Sequence, residues 1–113
     1  MEKRVDCGIL LSFYGAMLTE RQRELLSYRY EEDLSLAEIA ALCGTTRQGA
    51  HDAIRRGEAQ LGALEARLGL RARWARIREG LEACRGRLAA GDARAALALI
   101  DELLREEEEG NDV

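Results

Sequence analysis

Between positions 47 and 56 the chain places Arg47, Gln48, His51, Asp52, Arg55 and Arg56. These residue types can read nucleic acid. A glutamine amide pairs bidentately with adenine, and an arginine fork suits guanine or phosphate. Asp52 could accept from cytosine or hold a neighbouring arginine, and Asp52 with Arg56 has the favourable i,i+4 spacing. At about 100° per residue, Gln48, Asp52 and Arg55 share one helix face with Ala59, and His51 and Arg56 flank it. Arg47 stands at the helix start, where the dipole favours an anion. The opposite face carries Ala50, Ile54, Gly57 and Leu61. The same polar groups would equally suit a face that meets only water, so the surrounding sequence has to decide.

That surrounding sequence is SLAEIAALCGTTRQGAHDAIRRGEAQL, residues 35–61. Ser35 and Glu38 form a capping-box pair, and Leu36, Ile39, Ala40 and Leu42 follow at helical spacing. Cys43-Gly44-Thr45 interrupts the pattern, Gly44 being free to take the positive φ of a sharp turn. Thr46 can cap the next helix. Two helices joined by a short glycine-containing turn are the sequence form of a helix-turn-helix, whose second helix commonly enters the DNA major groove.

A second cationic run follows: Arg67, Arg71, Arg73, Arg76 and Arg78. Arg67, Arg71 and Arg73 form a candidate secondary basic patch for phosphate. The alternative is that these arginines pair with glutamates of the acidic last helix or of a second subunit. Trp74 reads as core or interface, with base stacking as the alternative. Nothing points to catalysis. The chain has one histidine, no Gly-rich phosphate loop and no nucleophile beside a base. Cys7, Cys43 and Cys84 are too far apart for metal-ligand spacing and read as free thiols. No enzyme activity, cofactor or metal is expected.

Composition supports a helical protein. Of 113 residues 47% are apolar but only 4% aromatic, and there is no proline. Strong helix formers dominate, and the chain is read as all-α, with a core of Leu, Ala and Ile. The net charge of −4 argues against non-specific coating of nucleic acid. It hides a segregation: residues 65–91 carry seven basic and three acidic groups, residues 92–113 two basic and eight acidic. No signal peptide is visible and no apolar run approaches the ~20 residues of a membrane span, so a soluble cytoplasmic protein without membrane contact is expected.

The elements follow from these signals. Residues 1–6 are expected to fray. A first helix over about Val5 to Ala16 would bury Ile9, Leu10, Phe13, Tyr14 and Met17. Thr19 with Gln22 caps a second, Glu20 to Tyr30. The helix-turn-helix occupies 35–61 and its second helix can continue toward Gly69. Trp74, Ile77, Leu81, Cys84 and Leu88 then recur at spacings of three and four, a seam-like stripe. Gly91-Asp92 breaks the chain before a last helix with Leu97, Ile100 and Leu104. The expected organisation is a helix-turn-helix domain over 1–69, a helical hairpin over 70–108 that packs on the first domain or on a second copy, and an acidic tail over 109–113. A homodimer is expected.

The run LLSFYGAMLTERQRELLSYRYEEDLSLAEIA, residues 10–40, resembles the YlxM-like family of small bacterial helix-turn-helix proteins. Leu34–Leu61 also resembles region 4 of bacterial sigma factors, from which the phrase "FYG…LT…Q" sets the YlxM-like proteins apart. The likeness continues through Thr46-Arg47-Gln48, Asp52-Ala53-Ile54, Arg55-Arg56 and Glu58. The resemblance implies a sigma-region-4-like core with extra helices, a dimer, and a DNA- or RNA-binding regulator tied to the signal recognition particle and its components. The chain departs from the family at Gly49, Ala50 and His51, where alanine, valine and tyrosine are common. Two other functions compete: a sigma-region-4-like transcriptional regulator binding DNA, and a protein-interaction module that uses the motif only as a scaffold.

Overall fold

The computed structural model describes residues 2–110, with side chains from Asp6 onward. The described residues form six helices and no strand. They are α1 (Glu2–Tyr14), α2 (Glu20–Tyr30), α3 (Leu36–Cys43), α4 (Arg47–Leu68), α5 (Leu70–Ala89) and α6 (Ala93–Gly110), with a 3-10 turn over Gly15–Met17. The protein is all-α. The chain divides into two compact units between Arg71 and Ala72.

The helix starts are set locally. Thr19 and Ser35 each accept from the backbone N–H three residues on, while Gln22 and Glu38 reach back to the cap. These reciprocal bonds satisfy donors that a helix start would otherwise leave unpaired. Thr46 Oγ1 accepts from the Gly49 N–H at 2.9 Å, and Asp92 Oδ1 from the Ala95 N–H at 3.0 Å. The stops use left-handed glycines, with φ of 64° at Gly44, 63° at Gly69 and 81° at Gly91.

In the first unit, α1 to α4 surround one core of Leu11, Tyr14, Leu25, Leu26, Ile39, Ala40, Ala50, Ile54 and Leu61. The α1 stripe differs from expectation. The buried positions are Cys7, Leu11 and Tyr14, while Met17 is 54% exposed. The helix ends at Tyr14 and tightens into a 3-10 turn, which takes Met17 off the inward line. Leu10 and Phe13 pack on the core from its edge, and Ile9 is half-buried. The start also differs, since α1 already begins at Glu2; Met1 lies outside the described residues.

Tyr14 closes this unit at its far end. Its hydroxyl donates to Glu65 Oε1 at 2.6 Å and accepts from the Leu70 N–H at 3.0 Å. Glu65 Oε1 also accepts from the Arg71 N–H at 3.0 Å. Two side chains of the first unit thus cap the start of α5. Burial, then the hydrogen bond to Glu65, pushes the Tyr14 hydroxyl above its ordinary pKa.

The second unit is an antiparallel hairpin. Cys84 Sγ lies 3.6 Å from the Ala96 carbonyl oxygen, Gly80 faces Leu103, and Arg73 is ion-paired with Glu107. The inward line of α5 is therefore Arg73, Ile77, Gly80 and Cys84, not the full apolar stripe. Trp74, Leu81 and Leu88 stay 45%, 56% and 55% exposed. On α6 the inward line is Ala96, Leu99, Leu103 and Glu107, and Leu97, Ile100 and Leu104 are exposed. Of the expected acidic tail, Glu109 and Gly110 complete the last turn of α6, and residues 111–113 lie outside the described residues.

Candidate nucleic-acid interface

The sequence between Thr46 and Leu61 dictates a helix with two unlike sides. Ala50, Ile54, Gly57 and Leu61 are buried against the other three helices of the first unit. Leu26 of α2 seats directly on Gly57, where a Cβ would lie 2.9 Å from its Cδ1. Tyr30 of α2 donates to Glu58, clasping the same turn of α4. The outward side is thereby fixed: Arg47, Gln48, Asp52, Arg55 and Arg56 are exposed and His51 is half-buried.

Asp52 organises the start of this face. Gln48 Nε2 donates to Asp52 Oδ1 at 2.9 Å, and His51 Nδ1 lies 3.4 Å from the same oxygen. The Asp52–Arg56 pair that the spacing allowed does not form; Asp52 turns toward the helix start, where Gln48 offers an equally spaced partner. Among the described residues, no side-chain hydrogen bond or ion pair engages Arg47, Arg55 or Arg56. The face therefore offers three cations to a single carboxylate that is already hydrogen-bonded. The first turn of α4 holds no acidic residue, so its N-terminal dipole is not offset there.

Tertiary structure adds a residue that the sequence did not disclose. Arg21 of α2 lies against the turn between α3 and α4, with Nη2 3.5 Å from the Cys43 carbonyl oxygen. It therefore sits close to the turn that leads into Arg47. Its distance in sequence from the motif left no spacing signal.

The second cationic run is arranged differently. Arg71 Nη2 meets Asp6 Oδ1 at 2.6 Å. Arg73 donates through Nε to Glu107 Oε2 at 2.6 Å, and that carboxylate pushes the guanidinium above its ordinary pKa. Arg78 pairs with Glu82 at 3.3 Å and lies over Trp74 at 5.5 Å from the ring centroid. Arg67 is exposed on the last turn of α4. Arg73 is thus held by a glutamate of the acidic last helix, the alternative to phosphate contact weighed in the sequence, whereas Arg71 is held by Asp6 of α1, a partner that the sequence did not name.

Cys7, Cys43 and Cys84 are free thiols. Among the described residues no group of three or more His, Cys, Asp or Glu could hold a metal ion. No described helix is long and apolar enough to cross a membrane.

Residues 1–90 match the model of a family described as "Putative helix-turn-helix protein, YlxM / p13 like". A UPF0122 protein of Symbiobacterium thermophilum is 46% identical over 96 residues, covering 82% of this chain and 90% of the relative. One from Thermoanaerobacter sp. is 38% identical over 110 residues, covering 91% and 92%. One from Clostridium botulinum is 47% identical over 70 residues, and there the match spans 62% of this chain and only 64% of the relative.

Proposed function

The chain belongs to the YlxM / p13-like family of helix-turn-helix proteins, and from that premise we propose that it is a nucleic-acid-binding regulatory or accessory protein of the signal recognition particle pathway. In this reading α4 is the recognition helix. Gln48 and Arg55 meet base edges, Arg47 and Arg56 meet phosphate, and Asp52 positions Gln48. His51 stands at the edge of the contact. The protein acts in the cytoplasm, as a homodimer, without catalysis.

One observation carries the reading. Arg47, Arg55 and Arg56 project from α4 without ion-pair partners among the described residues, while the opposite side of the same helix is sealed into the core. Cations left exposed beside a helix start free of acid are what a phosphate backbone requires. The link to protein targeting is supported by the family resemblance alone. The paired state of Arg71 and Arg73 makes them a secondary contact at most.

The test is a low-salt titration against the RNA of the signal recognition particle, an unrelated structured RNA and duplex DNA. Selective binding of the particle RNA is the expected result. Sequence-specific duplex binding that survives competitor DNA would favour the sigma-region-4-like regulator. No retention on any of the three would leave a protein-interaction module, a reading favoured by the exposed apolar residues of α5 and α6.

A further inference from the structure

The hairpin of α5 and α6 has two unlike sides. About 100° per residue separates successive side chains. Counted from the inward lines, Arg76 and Glu79 of α5 and Glu102 and Glu106 of α6 turn to one side. There they line a shallow groove floored by Leu99 and Leu103. Trp74, Leu81 and Leu88 of α5 turn the other way. Because the helices are antiparallel, the same sense of rotation on α6 brings Leu97, Ile100 and Leu104 to that same side. Six large apolar side chains, each 36–59% exposed, therefore form one face.

The heights agree as well. The pairings Cys84–Ala96 and Arg73–Glu107 set the register. They put Trp74 near the level of Leu104 and Leu81 near that of Ile100. The face is thus built in layers, with the seven-residue repeat of a helical bundle along α5.

Its rims differ in charge. Four residues beyond Trp74 and Leu81 stand Arg78 and Arg85. Four residues beyond Leu97 and Leu104 stand Asp101 and Glu108. Arg78 is paired with Glu82 of its own helix at 3.3 Å, an exposed pair, while among the described residues Arg85, Asp101 and Glu108 have no ion-pair partner. The α5 edge is basic and the α6 edge acidic, so the face is complementary to itself.

Two hairpins can stack face to face about a two-fold axis in two ways. With the axis across the helices, α5 lies on α5 and α6 on α6, setting arginine against arginine and carboxylate against carboxylate. With the axis along the helices, α5 lies on α6 of the partner at unchanged height. The basic rim then meets the acidic rim on both edges, and Arg78 comes level with Asp101 of the partner subunit to within about one residue, a rise of about 1.5 Å. We infer that this face is covered by the same face of a second copy, forming an all-antiparallel four-helix bundle in which α5 packs on α6 of the partner. The inference rests on the homodimer of the preceding reading and specifies its interface and arrangement.

Sedimentation equilibrium on the full chain tests it, with circular dichroism confirming helix content for each variant. The wild type is expected to be a dimer at tens of micromolar. Leu81→Glu with Ile100→Glu gives a monomer of undiminished helicity. Arg78→Glu and Asp101→Arg each raise the dimer dissociation constant by about tenfold, since each puts like charges on both edges. The double variant in one chain returns it to near the wild-type value. A monomeric wild type overturns both the dimer and this interface. A dimer indifferent to Leu81→Glu with Ile100→Glu overturns the interface alone. A dimer lost in both single variants and not recovered in the double overturns the α5-on-α6 arrangement. Nucleic-acid affinity is read separately and decides none of these outcomes.

Discussion

Leu26 fills the space that a side chain at position 57 would occupy: a Cβ on Gly57 would lie 2.9 Å from Leu26 Cδ1 and 3.2 Å from its Cγ. Leu26 is fully buried, so it has little room to yield. A helix-interior glycine, costly by about 0.5–1 kcal/mol relative to alanine, is here the condition for α2 and α4 to approach. Gly57→Ala is expected to lose about 1 kcal/mol, since overpacking costs about 1–3 kcal/mol and the gain in helix propensity offsets only part of it. Urea denaturation checks this, and an unchanged or raised midpoint would show that the contact is slack.

Gly49 should behave in the opposite way. A Cβ there would meet Thr45 Oγ1 at 2.6 Å, but Thr45 is exposed and its hydroxyl can rotate away. Gly49→Ala should stabilise the protein by about 0.5 kcal/mol through helix propensity, with nucleic-acid affinity unchanged or slightly higher. A drop in melting temperature would mean that the Thr46 cap cannot accommodate the methyl group.

The free cations of α4 should be read out by salt. Arg47→Ala and Arg55→Ala are each expected to weaken nucleic-acid binding and to lower the log–log salt slope by about 1 per lost phosphate contact. Fluorescence anisotropy across a salt series measures both quantities. An Arg55 variant that loses affinity for one sequence at constant slope would place that residue on a base edge.

Arg73 and Glu107 should report on the hairpin. Arg73→Glu faces a carboxylate across the hairpin and should lower the melting temperature, whereas Arg73→Glu with Glu107→Arg should recover most of the loss. If Arg73→Glu leaves stability unchanged and abolishes nucleic-acid binding, the arginine belongs to the interface and not to the hairpin.

Stability should fall at both ends of the pH range, for opposite reasons. The Ser35 backbone N–H, and then its side chain, hold the Glu38 carboxyl below the ordinary carboxylate value. Its contribution is present above the unfolded value of about 4.3 and is lost as pH falls through the lower folded value. Ser35→Ala should blunt that acid loss. Tyr14, raised by burial and by Glu65, works in reverse. Its contribution is full below the unfolded value of about 10 and is lost as pH climbs through the raised folded value. Tyr14→Phe should remove that alkaline dependence and also uncap the start of α5, where Leu70 donates to its hydroxyl. Melting curves from pH 3 to pH 11 would separate the two.

What the sequence determined by itself lies within a few residues of each signal. Ser35 with Glu38, Thr19 with Gln22, Thr46, Asp92 and the left-handed Gly44, Gly69 and Gly91 mark where helices begin and end, because capping is settled by neighbours in the chain. The inward line Ala50, Ile54, Gly57 and Leu61 was legible for the same reason: one helix has one apolar stripe, and it must be buried. Tertiary structure decided what depends on distant partners. It gave Arg71 to Asp6 and Arg73 to Glu107, brought Arg21 to the turn before α4, and replaced Met17 with Leu11 in the core. It also divided the apolar positions of α5, turning Cys84 inward and leaving Leu81 and Leu88 outside. A stripe wider than one contact has no local reason to prefer either half, and only the approach of α6 makes the choice.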